Sequence, residues 1–157
     1  MTVRLWRIAV EAPSYKADDL SGAGAKITGG RWNNIGTPLI YSATNIALAV
    51  IETVLHIRSG SLPFNRYLVG IDIPDDVWAA RVVLDPLPSG WDAIPAGMIS
   101  RTTGDKWAAS NRSALLLVPS VSVPDEYNVL INPLHPVTAS ITATTIKRWH
   151  YDPRFFS

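Results

Sequence analysis

The residues from Gly29 to His56 read GGRWNNIGTPLIYSATNIALAVIETVLH, and one carboxylate among them constrains the fold more than any other feature of the chain. Gly29-Gly30 predicts a turn that presents Arg31 and Trp32 from a loop, and Asn34-Ile35-Gly36 predicts a second turn. Leu39-Ile40-Tyr41 predicts a short strand. Asn45 is placed to cap a helix running to about Arg58, where Ser59-Gly60 stop it. At about 100° per residue, Ala47, Leu48, Val50, Ile51, Val54, Leu55 and Ile57 cover more than half of this helix, so it is expected to be largely buried. Asn45, Glu52 and His56 nevertheless fall on one narrow stripe, with Ala49 on its edge. A carboxylate in a buried helix is costly unless it is paired or faces water. Two arrangements satisfy it. One is a polar slot with Glu52 at its centre, lined also by Ala49. The other is a structural ion pair between Glu52 and Arg31.

A length of 157 residues suits a single domain spanning 1–157 with a sizeable core. Six Trp and twelve Pro in that length point to aromatic packing and irregular connections, not to a bundle of long helices. The net charge of +1 argues against a direct nucleic-acid partner, which requires a concentrated basic face. The absence of Cys removes disulfides and thiol nucleophiles. No apolar run reaches membrane-spanning length, and the first residues lack a secretory layout, so no membrane partner and a cytoplasmic location are expected. His56, His135 and His150 have no metal-ligand spacing, so no metal site is expected. No GxGxxG follows the first strand, which argues against a Rossmann dinucleotide site.

Val3 to Val10 predicts a first strand with Val3, Leu5 and Arg7 on one face and Arg4, Trp6 and Ile8 on the other. Arg7 is then either a solvated residue of an edge strand or aimed into a site. Glu11 to Lys26, rich in small residues, predicts a loop. Further strands are expected at Tyr67 to Ile73, Val82 to Leu87, Ala114 to Val118, Asn128 to Ile131 and Ala143 to Tyr151. A turn or short helix is expected at Asp75-Asp76, a loop at Pro88 to Gly97, and a short helix within Arg101 to Arg112. Strands outnumber helices and do not alternate regularly with them. The expected class is α+β, a mostly antiparallel twisted sheet with a few helices.

The segment from Gly29 to His56, with Val118-Pro119-Ser120 and the run EYNVLINPLHP from Glu126 to Pro136, resembles the RES-domain family, whose name records an Arg, a Glu and a Ser. The resemblance covers essentially the whole chain in the family's order. It implies an ADP-ribosyltransferase-like fold. It also implies a bacterial toxin that consumes NAD+ as a substrate and has no resident cofactor. The fate of the ADP-ribose is either free product or a modified acceptor protein. The implied partner is an antitoxin with an Xre-like helix-turn-helix region; the competing expectation is an inert partner of such a regulator.

Under that resemblance the chemistry assigns roles to the residues above. Breaking the nicotinamide–ribose bond passes through a ribosyl cation, which a carboxylate stabilises. Glu52 is the candidate for that task. The pyrophosphate needs guanidinium donors, for which Arg31 comes first and Arg7 second. Tyr41 is the expected platform for nicotinamide, at a position where the family pattern has Tyr. Ser120 carries over from the family Ser, with Ser113 as its rival. His56 shares the Glu52 stripe. Asn132 and His135 are expected chiefly to fix a loop, with Asn132 also a candidate NAD+ contact.

Overall fold

A computed structural model describes residues 1–57 and 63–156 of the chain. Seven strands form one mixed sheet in the order β4-β5-β6-β2-β1-β3-β7. They are β1 (Thr2–Val10), β2 (Ile40–Ala43), β3 (Arg66–Pro74), β4 (Val82–Val83), β5 (Leu115–Pro119), β6 (Tyr127–Ile131) and β7 (Thr142–Arg148). Every pairing is antiparallel except β4 with β5. The expected α+β class with a mostly antiparallel sheet is what the chain adopts. Four helices accompany the strands: α1 (Ala23–Thr28), α2 (Ile46–Val54), α3 (Asp75–Ala79) and α4 (Met98–Ser110). Among the described residues no helix is long and apolar enough to cross a membrane.

Residue alternation explains the layers. β1 pairs with β3 over nine residues, from Thr2↔Pro74 to Val10↔Arg66. One sheet face carries Leu5, Ala9, Val69, Ile71, Ile73, Ile40, Leu115, Leu117, Val129 and Ile131 in a single buried cluster. Burying this aliphatic face supplies most of the driving force for folding. The opposite face is divided into two clusters. Leu48, Ala49 and Val50 of α2 pack on Ile8, Ala43 and Leu68. Trp32, Leu39 and Trp107 pack on Leu116, Val118 and Leu130. β1 and β2 meet at one register pair, Trp6↔Ala43, so the two halves of the sheet are joined narrowly between these clusters.

Several boundaries differ from expectation. α2 ends at Val54, and only Leu48, Ala49 and Val50 are buried in it. Ala47 is the one exposed residue of α2; Leu48, Ala49 and Val50 are buried and the other five are half-buried, so most of the helix is covered. Ile46 and Val54 pack against the same cluster as these three. The expected end at Arg58 and the stop at Ser59-Gly60 lie outside the described residues. Ala49 is 4% exposed and faces Ile8 and Leu68, so it packs in the core and does not line a slot.

The segment read as a loop to Lys26 contains α1, which begins beside Gly22 at φ 72°. A Cβ at Gly22 would lie 2.6 Å from the Leu39 backbone nitrogen, so both the left-handed backbone and the close approach require glycine. α4 starts at Met98, earlier than expected, and ends at Asn111, whose φ of 51° closes it in the left-handed region. β7 stops at Arg148, and Tyr151 folds back onto the α2 cluster.

Candidate active site

Asn45 folds the start of α2 by accepting a hydrogen bond from the Leu48 amide at 2.8 Å. Glu52 follows two turns later, half-buried and on the last turn of the helix. Its carboxylate accepts a short hydrogen bond from the Ser120 hydroxyl. Ser120 is fully buried where the chain leaves β5. Its oxygen accepts from the amides of Ser122 and Val123, both at 3.1 Å, and its own amide donates to the Glu126 carbonyl at 2.9 Å. The turn after β5 therefore grips the Ser120 oxygen and directs its proton at Glu52. Among the described residues Arg31 and Glu52 form no ion pair, so the structural-pair alternative does not describe this carboxylate.

Arg31 leaves the Gly29–Asn33 loop and donates through Nη1 to the carbonyls of Trp91 and Ala93, at 3.0 and 2.8 Å. Trp32 stacks on Trp91 with ring centroids 6.3 Å apart, which ties the same two loops together. Neutral carbonyls hold the guanidinium without neutralising it, so its charge remains available to an anion.

Tyr41 stands on the same sheet face, two residues from Ala43. Its hydroxyl donates to Asn33 Oδ1 at 2.6 Å and accepts from the Trp32 amide at 2.9 Å. Burial pushes this phenol well above its usual pKa range, against the opposing pull of the Trp32 amide. A Cβ on Gly30 would lie 2.7 Å from the hydroxyl, so the loop presses directly on Tyr41. Its polar end is thus committed to shaping the loop that carries Arg31.

The structure brings Glu52, Ser120, Tyr41 and Arg31 to one face of the sheet. It does not bring the other candidates there. Arg7 lies on the opposite face of β1 from Ile8, on which α2 packs. Arg7 Nε is covered and has no hydrogen-bond partner. Burial holds its pKa below the usual guanidinium value, with Asp19 opposing. This is not the solvated edge-strand Arg of the simpler expectation, because β1 is interior to the sheet.

His56 sits exposed in the turn after α2, since the helix ends before the Asn45–Glu52 stripe can reach it. Ser113 is buried, accepting from Trp107 Nε1 at 3.0 Å and donating to the Leu115 carbonyl at 2.8 Å. Ser120, not its rival, meets Glu52. Asn132 is buried, with its amide on the Ala108 carbonyl and Asn111 Oδ1 and its oxygen on the Leu134 amide. His135 Nδ1 accepts from the Val137 amide and caps the short 3-10 helix Pro136–Ser140. Asn132 and His135 fix the loop after β6, as expected.

Sequence reasoning passed over Asn128. It is the one polar residue of β6 beneath α2, in the register row Val118, Asn128, Ala43, Trp6. Its side-chain oxygen is covered and has no hydrogen-bond partner. The readable signal was an amide on an otherwise aliphatic strand. Two surface grooves, of about 410 and 380 Å³, run along Glu11–Lys16 and beside Phe64, Tyr67 and Arg148; none of the converging groups above lines them.

Comparison with known proteins identifies the family. The RES domain model matches residues 4–153. The "Prs ADP-ribosylating toxin" of Sphingobium sp. (strain YBL2) is 58% identical over 156 residues, 98% of this chain and 97% of that protein. A protein named "Toxin Res" from Yersinia enterocolitica is 35% identical over 153 residues, 96% of this chain and 97% of the relative. Another "Toxin Res", from Photorhabdus laumondii, is 41% identical over 76% of each chain. A solved chain from the M. tuberculosis MbcT–MbcA toxin–antitoxin complex superposes with a TM-score of 0.61 at 16% identity, covering 99% of this chain and 87% of that one. That last likeness concerns the fold alone. A model match over nearly the whole length, with relatives this similar, establishes that the chain belongs to the RES domain family.

Proposed function

We propose that this protein is a toxin that cleaves the nicotinamide–ribose bond of NAD+, and that a cognate antitoxin restrains it. The observation that carries this reading is the Glu52 carboxylate, held by the buried Ser120 hydroxyl on the sheet face that also bears Arg31 and Tyr41. The names of the relatives, an ADP-ribosylating toxin and Res toxins, support it. The toxin–antitoxin complex of the structural neighbour supports a protein partner.

In the proposed reaction the bond between ribose C1′ and the nicotinamide nitrogen breaks, and its electron pair leaves on nicotinamide. Nicotinamide departs neutral, so no strong acid is needed. The ribose is left with developing positive charge, which the fixed Glu52 carboxylate stabilises while it accepts a ribose hydroxyl. Ser120 prevents the carboxylate from rotating away, so little reorganisation is required in the transition state. Arg31 is the guanidinium group on this face available to the pyrophosphate. Tyr41 shapes the Arg31 loop from below and offers its ring to that surface. A nucleophile then attacks C1′. We favour a protein side chain as that acceptor, because the relative named for ADP-ribosylation spans nearly the same residues.

The test is to incubate purified protein with NAD+, measure released nicotinamide, and weigh candidate acceptors by mass spectrometry. Release of nicotinamide with an ADP-ribose mass on a protein is expected from bacterial lysate. Release with only free ADP-ribose makes the enzyme a glycohydrolase. No release, with and without lysate, contradicts the reading.

A further inference from the structure

Strand register places two rows of side chains on the face beneath α2 and the Arg31 loop. Leu116, Leu130 and Tyr41 form one row, and Val118, Asn128, Ala43 and Trp6 the next. Ser120 lies two residues beyond Val118, at the end that meets Glu52. Rows on one face repeat at about 7 Å. Asn128 therefore stands midway between the Tyr41 row, which supports Arg31, and the Glu52–Ser120 pair.

The Asn128 oxygen is covered yet accepts nothing, and its side chain remains only half-buried. The neighbouring hydroxyls cannot serve it. Ser120 donates to Glu52, Tyr41 to Asn33, and Thr44 to the Tyr127 carbonyl. A buried acceptor without a donor destabilises a fold, and an aliphatic residue would fill this row without that cost. A neutral donor from a molecule bound on this face would satisfy it.

We propose that Asn128 is a substrate-binding residue whose carboxamide takes a neutral hydrogen-bond donor from the nicotinamide riboside half of NAD+. This rests on the NAD+ reading above. The donor is either a ribose hydroxyl or the nicotinamide amide, since both are neutral and both belong near Glu52.

The experiment compares wild type with Asn128→Leu and Asn128→Ala. It measures melting temperature, kcat/KM for NAD+, and inhibition by nicotinamide and by ADP-ribose. Asn128→Leu is expected to melt at or above the wild-type temperature. Its kcat/KM should fall about three- to tenfold, the size of one lost neutral hydrogen bond. Weaker inhibition by nicotinamide alone assigns the contact to the amide, and by ADP-ribose alone to the ribose. If both variants match wild type in kcat/KM per folded molecule and in both inhibition constants, the inference is overturned. Wild type that neither binds nor consumes NAD+ overturns both this inference and the reading beneath it, whereas active wild type with unchanged variants overturns only this one.

Discussion

The Ser120 hydroxyl donates to the Glu52 carboxylate across 68 residues of sequence, and two backbone amides hold its oxygen in place. A carboxylate on the last turn of a short helix is thereby fixed from the opposite half of the sheet. Ser120→Ala removes this anchor and strands the amides of Ser122 and Val123. Stability should fall by about 1–3 kcal/mol, the cost of orphaning a buried group. Turnover of NAD+ should fall further than the melting curve explains. Chemical denaturation beside a nicotinamide-release assay checks both, and a variant with normal turnover per folded molecule would remove Ser120 from the site.

Tyr41→Phe tests the support of the Arg31 loop. The hydroxyl makes two hydrogen bonds to Trp32 and Asn33, so its loss should cost about 1–3 kcal/mol and raise KM for NAD+. A pH dependence accompanies it. Burial raises the folded-state pKa of this phenol above its unfolded value of about 10. The unfolded chain therefore loses the proton first, and the stabilisation is complete below about pH 10 and declines as pH rises beyond it. Wild type should lose stability above about pH 10 more steeply than Tyr41→Phe. Parallel curves would contradict the assignment.

Arg7 carries a covered, unpartnered Nε and a charge that burial disfavours. Burying a charge without a partner costs stability. Arg7→Met should therefore leave the melting temperature unchanged or raise it. The affinity for NAD+ should stay unchanged, because Arg7 lies on the sheet face opposite Glu52 and Arg31. Calorimetry with ADP-ribose checks this, and a loss of affinity of about tenfold would contradict the placement of Arg7 away from the site.

Local chemistry made much of the site legible in the sequence. Gly29-Gly30 before Arg31, the cap at Asn45 and the mid-helix Glu52 were each readable from residue type and spacing. Long-range geometry was not. That Glu52 pairs with Ser120 depends on how β5 and α2 meet, and no periodicity encodes it. The end of α2 at Val54 was not readable, because Leu55 and Ile57 continue the apolar pattern of the helix expected to run to about Arg58. α1 was lost among small residues, since its start is set by a left-handed Gly22 wedged against Leu39. Asn128 escaped notice because a polar residue on a strand becomes meaningful only once the register shows what lies above it.

The charge of Glu52 is central to the proposed chemistry, and Glu52→Gln tests it most directly. The substitution keeps the size and much of the hydrogen bonding to Ser120 but removes the negative charge. If that charge stabilises the ribosyl cation, nicotinamide release should fall by about 10²-fold or more, while NAD+ affinity and melting temperature change little. A Glu52→Gln protein that releases nicotinamide at the wild-type rate per folded molecule would contradict the account.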